Sequence, residues 1–338
     1  DSSTSRGLGD VYKRQEYRYV PLETRDDALI DVLYNVKNIA IFQEDIYIGS
    51  GEQLIVWDKY GKFKRVLSKK GNDPQSYLHF NHFMIWPNGD LSIASPIEIV
   101  TYSNSHQFIN KKRCENVGYI EAITLLNDSL YIIKCMPTPE QLRYRIINHH
   151  TGAIINSYDS IINCNRYISS FTNSFERYEG HIISHGYQSN DILECTLDSS
   201  KIRYKINVDN RIPPAGFYTQ EGKEGMQLIQ EEAEKGYIGH IPDYVESKET
   251  ILLSFKGKRE DLNGIALIDK KDGNARVLEN IKFDDNFRWL PKQFFSLDEG
   301  WCAMLMYPED VLKKEEFARR FPGLDEESNP VLFIGKLR

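Results

Sequence analysis

Two interleaved series of short polar turns, recurring at intervals near 45 residues, constrain the fold of this 338-residue chain more than any other feature. The first series places an Asp or Asn after an apolar run and then turns. It is seen at Val56-Trp57-Asp58 before Gly61, Ile146-Ile147-Asn148 before Gly152, Leu197-Asp198, and Leu267-Ile268-Asp269 before Gly273, with Ser103 as a weaker copy. Asp and Asn side chains bond the backbone two residues on, and Gly supplies the positive φ that such turns need. Positions 58, 103, 148, 198 and 269 are 45, 45, 50 and 71 residues apart. The second series is a tight turn between two apolar strands, centred on Glu44, Gly89, Asp128, Glu179, Lys248 and Glu299, at intervals of 45, 39, 51, 69 and 51. Because the two series alternate, each unit reads strand, tight turn, strand, short link, strand, Asp/Asn turn, strand, as over 38–42, 46–50, 54–58 and 63–68. Four antiparallel strands every ~45 residues is the signature of a propeller blade.

Composition agrees. There are 36 Ile against 11 Ala, and aromatics reach 12%, a balance that suits half-buried pleated surfaces better than helices. The expected fold is therefore all-β, a six-bladed β-propeller over 16–338 with short helical insertions. A stack of two β-sandwich domains would give no reason for six near-equal units. Both series stretch by about twenty residues between the fourth and fifth units, which places an insert at about 211–240. Within it, Gly225 to Lys235 has the composition and apolar spacing of a short helix, expected to lie over part of the channel mouth. A second helical stretch, about 308–321, follows Pro308, with Glu309 and Asp310 at its start and Val311, Leu312, Phe317 and Phe321 as its apolar stripe. It interrupts the sixth unit after the strand at 302–306, leaving that unit one strand short. The missing outer strand can come from Tyr17 to Leu22, pairing with Val331 to Leu337 and closing the ring by its N- and C-terminal strands.

The formal charge is −7, with Lys and Arg scattered, so the chain lacks the basic footprint of a nucleic-acid partner. No uncharged apolar run approaches the ~18 residues that would cross a bilayer. Five cysteines, at 114, 135, 164, 195 and 302, form no CxxC pair. Cys135, Cys195 and Cys302 sit in apolar β runs, where a thiol behaves as a small hydrophobe.

Ile55 to Phe63, followed by Lys70-Gly71-Asn72-Asp73-Pro74-Gln75-Ser76-Tyr77, resembles a six-bladed β-propeller family abundant in Bacteroidetes and similar to NHL-repeat and TolB-like propellers. The early Val20-Pro21-Leu22 and the late Val331 to Leu337 also look like that family's end strands. The chain departs from the NHL-like pattern at Asn72, Gln75 and Ser76, where such repeats often carry Gly or Glu. The resemblance implies an extracytoplasmic protein, in the periplasm or as an outer-membrane lipoprotein, touching the membrane only through a lipid anchor that this chain lacks. Residues 1–15 fall outside the repeat pattern and read as a non-native or flexible leader.

Chemical motifs are sparse. No GxSxG elbow and no HExxH helix is present. His149-His150 lies in a turn, and adjacent residues of an extended chain point apart. His181 and His185, four apart on a strand, stand ~13 Å from each other. His79 and His82 are the pair nearest a blade entrance. Asp243 and Asp284-Asp285 could ligate calcium, but no Glu-Asn-Asp set of the lactonase-type propellers can be matched, and no metal or cofactor is expected. An aromatic precedes each unit's first strand: Tyr34, Tyr77, Tyr119, Tyr167, Tyr244 and Trp289. With His79, Arg166 and Arg288 nearby, these could build a stacking surface for a sugar or peptide, or they could pack between blades. The expected function is a non-catalytic ligand- or protein-binding propeller at the cell envelope. The alternative is a metal-dependent hydrolase or lactonase acting at the central channel.

Overall fold

The computed structural model describes residues 17–30, 36–114, 117–136, 142–160, 175–185, 190–209, 211–214, 216–220, 222–223, 225–282 and 287–337. Each of the six expected units is an antiparallel four-stranded blade. The first four are consecutive in sequence, spanning Val36–Leu67, His82–Arg113, Ile120–Ser160 and Phe175–Lys205. Their inner strands are Val36–Phe42, His82–Ile85, Ile120–Leu125 and Phe175–Tyr178. Blade five has Tyr244–Glu246 inside, then Thr250–Gly257, Gly264–Asp269 and Ala275–Val277. Its inner position is shared with a second segment, Ile238–His240, which pairs with the far end of Thr250–Gly257. The break between the two falls at Pro242, which has no N–H to give the ladder. The Ser254 hydroxyl repairs it by accepting from the Asp243 N–H at 3.1 Å.

Blade six is built from both ends of the chain. Phe294–Ser296, Trp301–Met306 and Val331–Lys336 supply three strands, and Tyr17–Pro21 supplies the outer one, with Tyr17 opposite Gly335 and Pro21 opposite Val331. The inner strand of each blade lies beside that of the next, and that of blade six lies beside that of blade one, so the ring is closed around an axial channel.

Six hydrophobic clusters hold the ring, one in each seam between neighbouring blades. Seam one–two packs Leu54, Val56 and Leu67 against Phe83, Ile93 and Tyr102. Seam two–three packs Trp86 and Ile99 against Ile123 and Ile133, and seam three–four packs Ile132 and Tyr144 against Phe175 and Leu193. Adjacent residues of one strand, such as Ile132 and Ile133, therefore face opposite seams. That is why the strands read as apolar runs rather than as a clean alternation. Cys135, Cys195 and Cys302 are buried in these seams.

The connections follow the turn chemistry. Asp58, Asn148 and Asp269 each accept from the backbone N–H two residues on, at 2.8 to 2.9 Å. Gly61 shows why its position is fixed: φ is +84°, and a Cβ there would stand 2.0 Å from the Pro21 carbonyl oxygen. The two helical expectations are met by α1, Gly225–Lys235, and by the short α2, Pro308–Leu312, and α3, Glu315–Ala318. In α3, Phe317 stacks on Phe287 with centroids 3.8 Å apart, under the closing strand's Tyr19.

Closure is clasped by one side chain that sequence reading passed over. Asn329, buried, accepts from the Ile30 N–H at 2.8 Å and donates to the carbonyls of Ala28 at 2.9 Å and Glu23 at 3.0 Å. Its own N–H donates to the Thr24 hydroxyl at 2.8 Å. At about 1 kcal/mol for each bond, plus the penalty of stranding buried groups, Asn329→Ala should cost roughly 2–4 kcal/mol in urea unfolding. Removing residues 1–15 should leave the melting temperature unchanged, whereas removing 1–24 should lower it sharply. Equal melting curves for those two truncations would contradict closure by the terminal strand.

Candidate functional site

The inner strands begin at the face where blade-to-blade loops emerge, and there blades one to three build a pocket of about 480 Å³. Its walls include Leu29, Lys37, Glu52, His79, Asn81 and Tyr119. Glu52 comes from the short turn between the second and third strands of blade one, just after Gly51 at φ +58°. His79 and Asn81 come from the loop into blade two, and Tyr119 precedes the inner strand of blade three.

Glu52 ties these parts together. One carboxylate oxygen accepts from the Phe80 N–H at 2.8 Å, and the other lies 3.1 Å from His79 Nδ1 and 3.2 Å from Lys70 Nζ. Partial burial alone would raise this carboxyl, but His79, the Phe80 amide and Lys70 together outweigh it and hold Glu52 below the usual carboxylate range. Tyr119 donates to Asn81 Oδ1 at 3.2 Å, and Asn81 Nδ2 donates to the Ile120 carbonyl at 2.7 Å. The pocket thus has an aromatic wall, an ionised carboxylate and a histidine whose Nδ1 is engaged.

Below it, the axial channel holds a second cavity of about 210 Å³. The two are consecutive along the strands: Lys37 and Asn81 line the mouth, while Asn38 and His82 line the channel. Thr124, Arg177, Ser296 and Asp298 also face it.

Of the nine residues that sequence reading gathered at the mouth, His79 and Tyr119 line this pocket. Tyr34, Arg166 and Tyr167 lie outside the described residues. Tyr77 and Tyr244 are buried in seams one–two and four–five, with hydroxyls donating to the Glu52 carbonyl at 2.5 Å and to Glu246 at 2.9 Å. Trp289 is half-buried and donates to Asp310 of α2 at 3.0 Å, and Arg288 is exposed in a two-residue strand opposite Ile281–Lys282. The insert carrying α1 sits over blade five. There Gly239 lies against Tyr218 and Glu232, and Gly236 against Leu262, so α1 forms no wall of the mouth pocket. Glu52 was missed by sequence reading. The signal that could have found it is an acidic residue following a glycine in a turn at the mouth.

Among the described residues, no three His, Cys, Asp or Glu side chains gather as metal ligands would. His149 instead lies 3.9 Å from the Trp86 ring, centroid to centroid. Asp284 and Asp285 lie outside the described residues. Asp243 is fully buried, accepts from the Ser254 hydroxyl at 2.6 Å, and is pushed up to about 6 by burial, with Lys256 and Ser254 pulling the other way. A carboxyl raised above its unfolded value of about 4 costs stability wherever it must ionise. The cost is therefore complete above pH ~6 and vanishes below pH ~4. Asp243→Asn should stabilise the protein by up to about 3 kcal/mol at pH 8 and by little at pH 4. Thermal unfolding of both proteins across that range checks this, and a gain that is independent of pH would refute it.

Comparison with known proteins follows this geometry. A solved protein from Bacteroides fragilis, described as exported, superposes with a TM-score of 0.76 at 14% identity, covering 99% of this chain and 98% of that one. A member of the DUF4221 family from Bacteroides vulgatus superposes with a TM-score of 0.57 at 9% identity, covering 96% of each chain. At such identities the likeness concerns the fold. No curated protein matches the sequence. The model of one family, the domain of unknown function DUF4934, matches residues 14–336, and this six-bladed propeller belongs to that family.

Proposed function

We propose that the protein is a ligand-binding propeller of the cell envelope that holds a small polar molecule, a glycan fragment or short peptide, in the mouth pocket of blades one to three. The observation that carries this reading is the convergence of Tyr119, His79 and Glu52 on one cavity of about 480 Å³, within the ~300–1,000 Å³ range of small-molecule sites. Tyr119 offers a ring face for stacking. Glu52, fixed by three donors, keeps lone pairs for a ligand hydroxyl or amide, since a carboxylate has about four acceptor positions. His79 uses Nδ1 on Glu52, which leaves Nε2 for the ligand. The envelope location is supported by the exported description of the Bacteroides fragilis relative. In keeping with it, no helix among the described residues is long and apolar enough to cross a membrane. A lipid anchor on the mature protein is part of the same reading.

Glycan and peptide arrays probed with the purified chain provide the test. Tyr119→Ala should weaken binding to the best array hit about tenfold, the value of one aromatic contact, with the melting temperature unchanged. Glu52→Gln should weaken it further. Binding that survives both substitutions would place the ligand elsewhere.

A further inference from the structure

Two buried side chains on the inner strands are left over by all the contacts described above. His82, on the inner strand of blade two, is 5% exposed, and neither of its ring nitrogens makes a hydrogen bond. Glu176, on the inner strand of blade four, is 1% exposed. Its Oε1 accepts from the Glu246 N–H at 2.8 Å, while Oε2 has no partner. A buried polar group left unpaired costs about 1–3 kcal/mol, and native proteins keep few of them. Of the two, His82 lines a cavity in which a guest could satisfy it.

The cavity that His82 lines defines the guest's chemistry, and Glu176 lies outside that lining, between Phe175 and Arg177, which belong to it. At about 210 Å³ it has room for roughly seven waters at ~30 Å³ each, or for one small organic molecule. Burial pushes His82 down to about 4, partly offset by the nearby backbone of Phe83 and Ile123, so the imidazole is neutral and presents one donor and one acceptor. Burial also raises Glu176 well above the usual carboxylate range, with Asp298 and Glu246 adding to the effect. The Arg177 guanidinium is turned onto the Leu125 carbonyl. Asp298 accepts from the Arg177 N–H at 2.9 Å and is itself raised by burial. Asn38, Thr124 and Ser296 add neutral groups that donate and accept to a lining that also includes Arg177 and Asp298.

We propose that the axial channel is a second binding site, distinct from the mouth pocket, for a neutral polyhydroxylated small molecule whose hydroxyls satisfy His82 on one side and meet Ser296 on the other. A hydroxyl suits this lining because it donates and accepts at once, whereas the two lining groups of opposite sign, Arg177 and Asp298, lie close enough to interact with each other.

The test uses the full chain carrying isotope-labelled histidine, with glycerol, erythritol and glucose as probes and acetate, phosphate and zinc as ionic controls. The His82 resonances are assigned by their loss in His82→Phe. At least one polyol should shift the His82 signals saturably, and Ser296→Ala should weaken that response severalfold. Tyr119→Ala should leave it intact, which separates this site from the mouth pocket. Should His82→Phe fail to fold, the wild-type titration and Ser296→Ala still decide. The proposal falls if no polyol moves the His82 signals, the result expected of a channel that holds water alone, or if an ion moves them instead.

Discussion

The pairing of the two chain ends is the constraint on which the rest of the molecule depends. A ring of sheets is finished only when its last blade is complete, and blade six lacks an outer strand until Tyr17–Pro21 lies against Val331–Gly335. The register of that strand is enforced from both sides. Val20 enters the cluster between blades six and one, while Tyr19 packs on the cluster between blades five and six. A slip of one residue would exchange the two and strand both, because side chains alternate along a strand. Asn329 fixes the same register from the loop side by holding Glu23, Ala28 and Ile30 together. Only with the ring shut do six inner strands face one axis and enclose the channel.

Strands buried on both faces make ionisable residues expensive, so each one present needs a physical account. Glu246 and Glu176 are neighbours with opposite fates. Burial raises both, but Glu246 receives Arg203 twice, Lys270, Tyr204 and Tyr244, and is held below the usual carboxylate range. Glu176 receives one backbone N–H and is driven the other way. The difference is the supply of cations: Arg203 and Lys270 bond Glu246, whereas the bond that Glu176 receives comes from a neutral amide. A buried carboxylate keeps its charge where partners compensate desolvation, and loses it where they do not.

The fold was legible because its punctuation is local. Asp58, Asn148 and Asp269 bond their own turns whatever the rest of the chain does, and the glycines at 61, 152 and 273 have the positive φ those turns require. The 225–235 helix was legible for the same reason, since composition and spacing suffice for one short helix. The site was not local in this sense. An aromatic before each inner strand looks the same whether it ends in a seam, as Tyr77 and Tyr244 do, or on a cavity wall, as Tyr119 does. What decides is how far each inter-blade loop stands from the axis, and those loops do not repeat. Glu52 carried only the trace of a glycine before it. His82 and Glu176 carried a clearer one, an ionisable residue inside an apolar inner strand, although Glu176 lay hidden between Phe175 and Arg177.

Between the mouth pocket and His82, the surroundings change from those that keep a group charged to those that keep one neutral. At the mouth the Glu52 side chain is 39% exposed and is met by three donors, so the carboxylate stays ionised at neutral pH. One residue deeper along the chain of blade two, His82 loses solvent without gaining an ionic partner, and its imidazole is neutral. Desolvation changes faster over that step than hydrogen bonding can compensate. A guest that enters through the mouth therefore meets the ionised Glu52 first and the neutral His82 afterwards. The order of these two environments, set by strand direction and by the loops of blades one to three, filters on polarity before any single contact discriminates on shape.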